Sequence, residues 1–214
     1  MTATTAAATV AVPAAAAGRE VAPPSPPQDM RGRPRAWWGM VVLIMTEAMI
    51  FAGLLSAYFF TRSVSPRWPQ GGIRPPALRT IVPFTVVLLA SSAPIVWAET
   101  AIERGQVGRL RAGMAISWVM GAAFLANQVV EYHALGFGIR DNAYASLFYG
   151  ITGLHGIHVA VGLAMSLVVQ AKAWLGRLSS RRHLTFQVFA LYWHFVDAVW
   201  VFVFSSLYLS AHIR

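Results

Sequence analysis

The chain has 214 residues, of which 57% are hydrophobic and only 12% are charged, so an ordinary soluble domain is excluded. Its formal net charge is +9, but the basic residues lie between apolar runs, as in membrane proteins, so no nucleic-acid partner is expected. The absence of cysteine excludes disulfides, CxxC zinc sites, thiolate-bound iron–sulfur clusters and thiolate-bridged copper.

The first segment, residues 1–35, is rich in alanine and proline and is predicted to be a disordered tail. Proline-rich stretches of this kind resist helix formation and cannot build a core. The segment also lacks the basic stretch followed by an apolar core that defines a signal peptide. We therefore place the folded part of the chain at residues 36–214.

Five apolar runs follow, and each contains the roughly 20 residues that a helix needs to cross a bilayer. They predict an all-α, polytopic membrane protein with five transmembrane helices in a bundle. Pro83 and Pro94 predict kinks in the second helix. The predicted spans are 36–60, 80–101, 112–132, 143–171 and 184–211.

The basic residues are distributed unevenly between the two sides of the predicted membrane domain. With five spans, the tail, the second loop and the fourth loop share one side, and they carry the larger part of the 17 lysines and arginines. Because cytoplasmic loops are enriched in basic residues, the N-terminus is predicted to be cytoplasmic and the C-terminus outside.

Glu47 lies near the centre of the first span, WWGMVVLIMTEAMIFAGLLSAYFF. At 1.5 Å per residue it is about 15 Å along the helix from Trp37. A carboxylate at that depth must face protein, water or a partner. Two interpretations stay open. The residue is either a proton relay or ion site, or a protonated glutamate that is hydrogen-bonded to a neighbouring helix.

The third and fourth spans carry polar pairs with a spacing of three, which places each pair on one helix face. Gln128 and Glu131 lie near the outer boundary, where a charge costs less, so an interfacial anchor or salt-bridge partner is favoured. His155 and His158 lie in the glycine-rich GITGLHGIHVAVG and could begin a metal or haem site. The Glu-x-x-His pattern of di-iron bundles is missing, so hydrogen bonds between helices are favoured for both histidines.

The fifth span contains LYWHFVDAVWVF, in which Trp193, Asp197 and Trp200 follow an i, i+4, i+7 stripe. Asp197 lies about 20 Å from the start of the helix and requires a partner at that depth. His194 of the same helix, or a histidine or arginine of another helix, is the expected partner. We favour an internal pair that fixes helix packing.

Together these motifs resemble subunit III of the haem–copper oxidases, the cytochrome c oxidase family. The resemblance covers residues 36–211 and rests on four segments in family order. They are the run around Glu47, QVVEYHALGF around Glu131, DNAYASLFYGITGLHGIHVAVG around the two histidines, and LYWHFVDAVWVFVF at the end.

The resemblance implies a non-catalytic core subunit of a bacterial aerobic terminal oxidase in the cell membrane. That complex reduces oxygen at the end of the respiratory electron transport chain and pumps protons. The subunit is implied to support the stability and the proton uptake of the complex. Haem and copper would belong to the partner subunits. Subunit I is implied as the direct partner, subunit II as a member of the same complex, and phospholipid as a bound ligand.

The resemblance also implies roles for the polar residues, none of which is expected to be catalytic or to bind a cofactor or a metal. Glu47 falls on the family's carbodiimide-reactive membrane carboxylate. The remaining positions are implied to be structural or lipid-contacting polar residues: Gln128, Glu131, His155, His158, Trp193, His194 and Asp197.

The chain departs from the seven-helix form of the family, because the Ala/Pro tail stands where that form has two N-terminal helices. Short five-helix bacterial forms share this feature. Subunit III of a quinol oxidase, or an accessory subunit of a nitric oxide reductase, fits the same motifs. Two alternatives come from other classes: a membrane cytochrome b with haem on His155 or His158 and His194, and a proton-coupled transporter using Glu47 and Asp197.

Overall fold

The computed structural model describes residues 34–73 and 76–212, so the predicted disordered tail lies outside the described residues except at its last two positions. Regular structure in the described chain is helical, apart from an isolated bridge between Ser179 and Arg182. The helices are α1 (Arg35–Val64), α2 (Leu78–Ala90), α3 (Ser92–Glu103), α4 (Val107–Ala134), α5 (Ala143–Trp174), α6 (Leu184–Phe204) and α7 (Ser210–His212), with a 3₁₀ turn at Gln70–Gly72 and a π-helical turn at Ser205–Leu209.

Five helical segments are long and apolar enough to cross a membrane, which confirms the predicted all-α membrane fold. Helices α2 and α3 together form one segment, Leu78–Glu103, and α6 with the π-helical turn forms another, Leu184–Leu209. Arg111 near the start of α4 donates to the carbonyl of Ala173 near the end of α5, at 2.9 Å. The spans α4 and α5 therefore run in opposite directions, as their short connection requires.

The second span is interrupted at Ser91, between α2 and α3. Pro94 has no N–H to donate to the carbonyl of Ala90, which is the last residue of α2. The helix restarts with this proline in the first turn of α3, where a missing N–H costs little. The interruption places two serine hydroxyls, Ser91 and Ser92, against α6.

Helix α6 contacts α1, α3 and α5, whereas α4 contacts α2, α3 and α5. Helix α1 contacts only α5 and α6 extensively, and it leaves most of its apolar side chains uncovered. Met49, for example, is 72% exposed. Apolar side chains on a transmembrane helix are compatible with lipid, so this surface needs no protein cover.

The indole ring of Trp193 on α6 fits against two glycines of neighbouring helices. A Cβ at Gly121 of α4 would lie 2.6 Å from the ring, and a Cβ at Gly162 of α5 would lie 2.8 Å from it. By contrast, a Cβ at Gly150 would have no other atom within 4 Å. Of these two α5 glycines, the ring therefore needs the space at Gly162 and not at Gly150.

We expect Gly162→Ala to destabilise the bundle by about 1–3 kcal/mol, the usual cost of inserting a methyl group into a filled core. Gly150→Ala is the matched control on the same helix and should leave stability unchanged or raise it slightly. Thermal unfolding of both variants in mild detergent measures the difference. Equal melting temperatures would show that Trp193 does not need the space at Gly162.

Candidate functional site

Glu47 on α1 and His158 on α5 form a pair between helices. Glu47 Oε2 lies 3.1 Å from His158 Nε2, and His158 Nδ1 lies 2.8 Å from the carbonyl oxygen of Leu154. A carbonyl oxygen only accepts, so Nδ1 carries a hydrogen and one proton is shared between Nε2 and the carboxyl group. The pair is therefore electrically neutral overall, whichever group holds that proton.

This pair lies at the edge of the bundle, with 26% of the Glu47 side chain and 10% of the His158 side chain exposed. The ring of Phe51 packs edge-on against His158 at 5.2 Å between centroids, and the Tyr192 hydroxyl donates to the His158 carbonyl at 3.2 Å. The geometry corresponds to the hydrogen-bonded interpretation of Glu47. The proton-relay interpretation stays a prediction.

Ser92 of α3 joins two polar residues of α6, Asp197 and His194. Its hydroxyl oxygen lies 2.5 Å from Asp197 Oδ2 and 2.9 Å from His194 Nδ1. The expectation of a histidine or arginine as the direct partner of Asp197 is therefore wrong. Asp197 faces the break at Ser91, so a serine of α3 binds it and the serine lies between the carboxyl group and His194.

Sequence reasoning missed Ser92, although the sequence carried a signal. Two adjacent serines, Ser91 and Ser92, lie between Pro83 and Pro94 in an otherwise apolar span, and both hydroxyls bind α6 side chains. The other Asp197 oxygen, Oδ1, has no partner in the part of the chain that the structure describes. Ser92 therefore provides the hydrogen bond to a buried carboxyl group.

The tryptophans of the predicted α6 stripe are buried and bind hydroxyl groups on the second span. Trp193 Nε1 donates to the Ser91 hydroxyl at 2.9 Å, and Trp200 Nε1 donates to the Thr85 hydroxyl at 3.1 Å. Each indole thus satisfies its N–H while it fills the core between helices. The stripe is the inward side of α6, where the indole N–H groups bind the second span and the Trp193 ring packs against α4 and α5.

His155 is buried, but it makes no hydrogen bond to any described residue. The expected hydrogen bond to another helix is therefore wrong for this histidine, whereas His158 does bind Glu47. Aromatic rings surround His155, with the centroid of Trp200 at 4.7 Å and that of Phe124 at 6.0 Å. Its imidazole serves as an aromatic core side chain at this position.

Glu131 of α4 binds the π-helical turn that follows α6. Its Oε2 accepts from the Tyr208 hydroxyl at 3.1 Å and from Gln128 Nε2 at 3.5 Å. The residue is only 8% exposed and has no ion pair with any residue that the structure describes. The expectation of a salt-bridge partner is wrong, because Glu131 binds Tyr208 and Gln128 inside the bundle. Its role as an anchor at the membrane interface stays a prediction.

Sequence reasoning also missed Tyr208. It lies in the apolar run FSSLYL, and a π-helical turn changes the register of side chains relative to a regular helix. The amino-acid types in that run do not indicate a π-helical turn. As a result, the partner of Glu131 could not be identified from helical periodicity.

The polar clusters join helices to one another, and their composition does not match a typical metal centre. No group of three or more histidine, aspartate or glutamate side chains that could hold a metal occurs within residues 34–73 and 76–212. Each cluster joins two helices: α1 with α5, α3 with α6, and α4 with the end of α6. The Glu47–His158 cluster shares a proton between its two groups.

Comparisons with known proteins point to a single family. The family described as cytochrome c oxidase subunit III matches residues 33–212. The cytochrome c oxidase subunit 3 of Thermostichus vulcanus is 36% identical over 174 residues, which is 80% of this chain and 85% of that protein. The corresponding protein of Synechocystis sp. is 38% identical over 175 residues, 80% of this chain and 74% of that protein. The one of Pylaiella littoralis is 37% identical over 177 residues, 79% of this chain and 65% of that longer protein.

Proposed function

The chain belongs to the cytochrome c oxidase subunit III family, and from this membership we propose that it is the non-catalytic subunit III of a bacterial aerobic terminal oxidase. The observation that carries the proposal is the family match over residues 33–212, which takes in all five spans and the polar clusters. Its work in the oxygen-reducing, proton-pumping complex is to support stability and proton uptake.

The hydrogen bonding of the histidines supports a role without a redox centre in this chain. Haem ligation requires a free ring nitrogen, but both nitrogens of His158 already have partners. His155 is enclosed by aromatic rings. A membrane cytochrome b would have to disrupt these arrangements, so we assign haem and copper to the partner subunits I and II.

Three further assignments complete the proposal. Subunit I is the direct partner, and phospholipid covers the exposed apolar side of α1, which includes Val42 and Met49. The N-terminus is cytoplasmic and the C-terminus outside, as the distribution of basic residues favours. Subunit III of a quinol oxidase is the second candidate, because the electron donor is chosen by other subunits.

The proposal is tested by purifying the tagged chain from its native membranes. We expect it to bring down a large haem-containing subunit and a copper-containing subunit, identified by mass spectrometry and by absorption spectra. The chain purified alone should lack a Soret band. A stoichiometric Soret band that disappears in His155→Ala would instead establish a cytochrome b, and substrate uptake by the chain alone in liposomes would establish a transporter.

Within that complex, we expect Glu47→Ala to abolish carbodiimide labelling of this chain while the haem content of the complex stays unchanged. Sustained turnover under high proton demand should fall, because His158 then lacks its partner. Glu47→Gln is the matched control, since it retains a hydrogen-bonding group but cannot react with the carbodiimide. Loss of haem from the complex in either variant would contradict a supporting role for this carboxyl group.

A further inference from the structure

Tyr208 differs from the other tyrosines of the chain in the group that its hydroxyl binds. The sequence has six tyrosines, and all six lie in the described part of the chain. The Tyr208 hydroxyl donates to Glu131 Oε2 at 3.1 Å, and both residues are buried. The hydroxyls of Tyr149 and Tyr192 donate to backbone carbonyls instead.

The three remaining tyrosines also lack a carboxyl partner. The Tyr58 hydroxyl accepts from Trp68 Nε1 at 3.2 Å, and the Tyr132 hydroxyl lies 2.7 Å from that of Thr152. The Tyr144 hydroxyl has no hydrogen-bond partner among the described residues. Within residues 34–73 and 76–212, Tyr208 is therefore the one tyrosine that donates to a carboxyl group.

This carboxyl group matters because a phenol that loses an electron becomes a strong acid and must lose its proton as well. A backbone carbonyl or an alcohol cannot keep that proton, whereas an ionised carboxylate can. Glu131 Oε2 faces two donors, the Tyr208 hydroxyl and Gln128 Nε2, which lies at 3.5 Å. Tyr208 is therefore the tyrosine of this bundle that is best placed to be oxidised.

A series of packed aromatic rings connects Tyr208 with the loop between α1 and α2. The Phe148 ring lies 5.6 Å from that of Tyr208 and 6.2 Å from that of Tyr144, between centroids. The Trp68 ring of the loop lies 5.2 Å from that of Tyr144. Tyr144 is fully buried, whereas Trp68 is only partly buried.

Aromatic pairs at these distances are common in protein cores, so the rings alone do not indicate electron transfer. What distinguishes this series is its composition. Tryptophan and tyrosine are easily oxidised side chains, and here they lie at the loop, in the middle and at the inner end. The inner end is the tyrosine with a carboxyl partner, so the series joins a partly exposed ring to a proton acceptor.

We propose that Tyr208 is a redox-active tyrosine that reduces one-electron oxidants at the α1–α2 loop, such as lipid peroxyl radicals, with Glu131 as its proton acceptor. The electron passes from the Tyr208 phenol through Tyr144 and Trp68 to the oxidant. The hydroxyl proton moves to Oε2 of ionised Glu131. The products are a neutral tyrosyl radical, a protonated carboxyl group and the reduced oxidant. A peroxyl radical takes its proton from water and becomes a hydroperoxide.

A fluorinated tyrosine in place of Tyr208 tests where the radical forms, because fluorine splits the electron paramagnetic resonance signal. The tagged chain is purified with its native partners in mild detergent, oxidised with photogenerated ruthenium(III) tris-bipyridine and frozen. We expect fluorine splitting from a label at position 208. The matched control is the same label at Tyr192, which is also buried but donates to the His158 carbonyl at 3.2 Å. Splitting from position 192 that equals or exceeds that from position 208 would overturn the proposal.

Two substitutions, each combined with the label at position 208, test the proton acceptor and the route. Glu131→Gln keeps a hydrogen-bond acceptor but cannot hold the proton, so the fluorine signal should fall about tenfold or more, as when a positioned base is lost. Trp68→Phe keeps a ring that is harder to oxidise, so the signal should form more slowly. An unchanged signal in Glu131→Gln would overturn the role of Glu131, and an unchanged rate in Trp68→Phe would overturn the route.

The melting temperature of each variant separates loss of the radical from loss of the fold. If Glu131→Gln does not fold, the comparison of labels at positions 208 and 192 still decides whether Tyr208 is oxidised. None of these measurements uses oxygen reduction as its readout. The inference therefore goes beyond the proposed function and can fail while subunit membership stands.

Discussion

The His158→Phe variant is expected to lose most of its folded chain from the membrane, because it leaves Glu47 without its hydrogen-bond partner. The carboxyl oxygen now 3.1 Å from His158 Nε2 would face a phenyl ring between α1 and α5. A polar group stranded in this way costs about 1–3 kcal/mol, and more when it is charged. The yield and the melting temperature of the detergent-purified chain measure the loss.

The double variant Glu47→Leu/His158→Phe is the decisive control. It removes both polar groups and replaces them with apolar groups, which is often nearly neutral or even stabilising. Yield and melting temperature should therefore return close to the wild-type values. A double variant as unstable as His158→Phe alone would mean that packing of the imidazole, and not the stranded carboxyl group, holds α1 to α5.

Ser92→Ala is the second substitution with a large expected effect. It leaves Asp197 Oδ2 and His194 Nδ1 without their present partner, and Asp197 Oδ1 has none among the described residues already. At about 1–3 kcal/mol for each stranded group, the loss should approach the whole stability margin of a small domain. We expect strongly reduced assembly and loss of contact between α3 and α6, measured by limited proteolysis and thermal unfolding.

Ser56→Ala is the matched control for this serine. Its hydroxyl is also in a transmembrane helix, but it is exposed and bonds only to the carbonyl of Ala52 in its own helix, at 2.8 Å. Removing it strands no other side chain, so stability should change little. If the two alanine variants are equally stable, Ser92 does not hold the buried carboxyl group of Asp197.

The membrane fold could be predicted from the sequence because hydropathy is a local property. Twenty apolar residues identify a span whatever its neighbours are, and proline positions mark where it bends. The pairing of polar side chains between helices is not a local property. Glu47 and His158 are 111 residues apart, and the sequence fixes the depth of each residue in its helix but not the rotation that turns the two side chains together.

The partners that sequence reasoning missed are hydroxyl groups. Ser92 and Tyr208 are residue types that occur in any apolar run, whereas Glu47, Glu131 and Asp197 stand out because a carboxyl group is costly there. Charge therefore identifies one half of the Asp197 cluster and of the Glu131 cluster. The other half depends on a helix break at Ser91 and on a π-helical turn, both of which follow from tertiary packing.

The distance in sequence between Glu47 and His158 bears on how the chain is made. Helix α1 leaves the ribosome first, and α5 follows 111 residues later, which at ordinary rates of synthesis is roughly 5–20 s. During that interval Glu47 has no hydrogen bond to His158, because α5 has not yet been synthesised. The nascent protein must therefore shelter this acid elsewhere, within the insertion machinery or against an already finished neighbour, until the fourth membrane segment arrives.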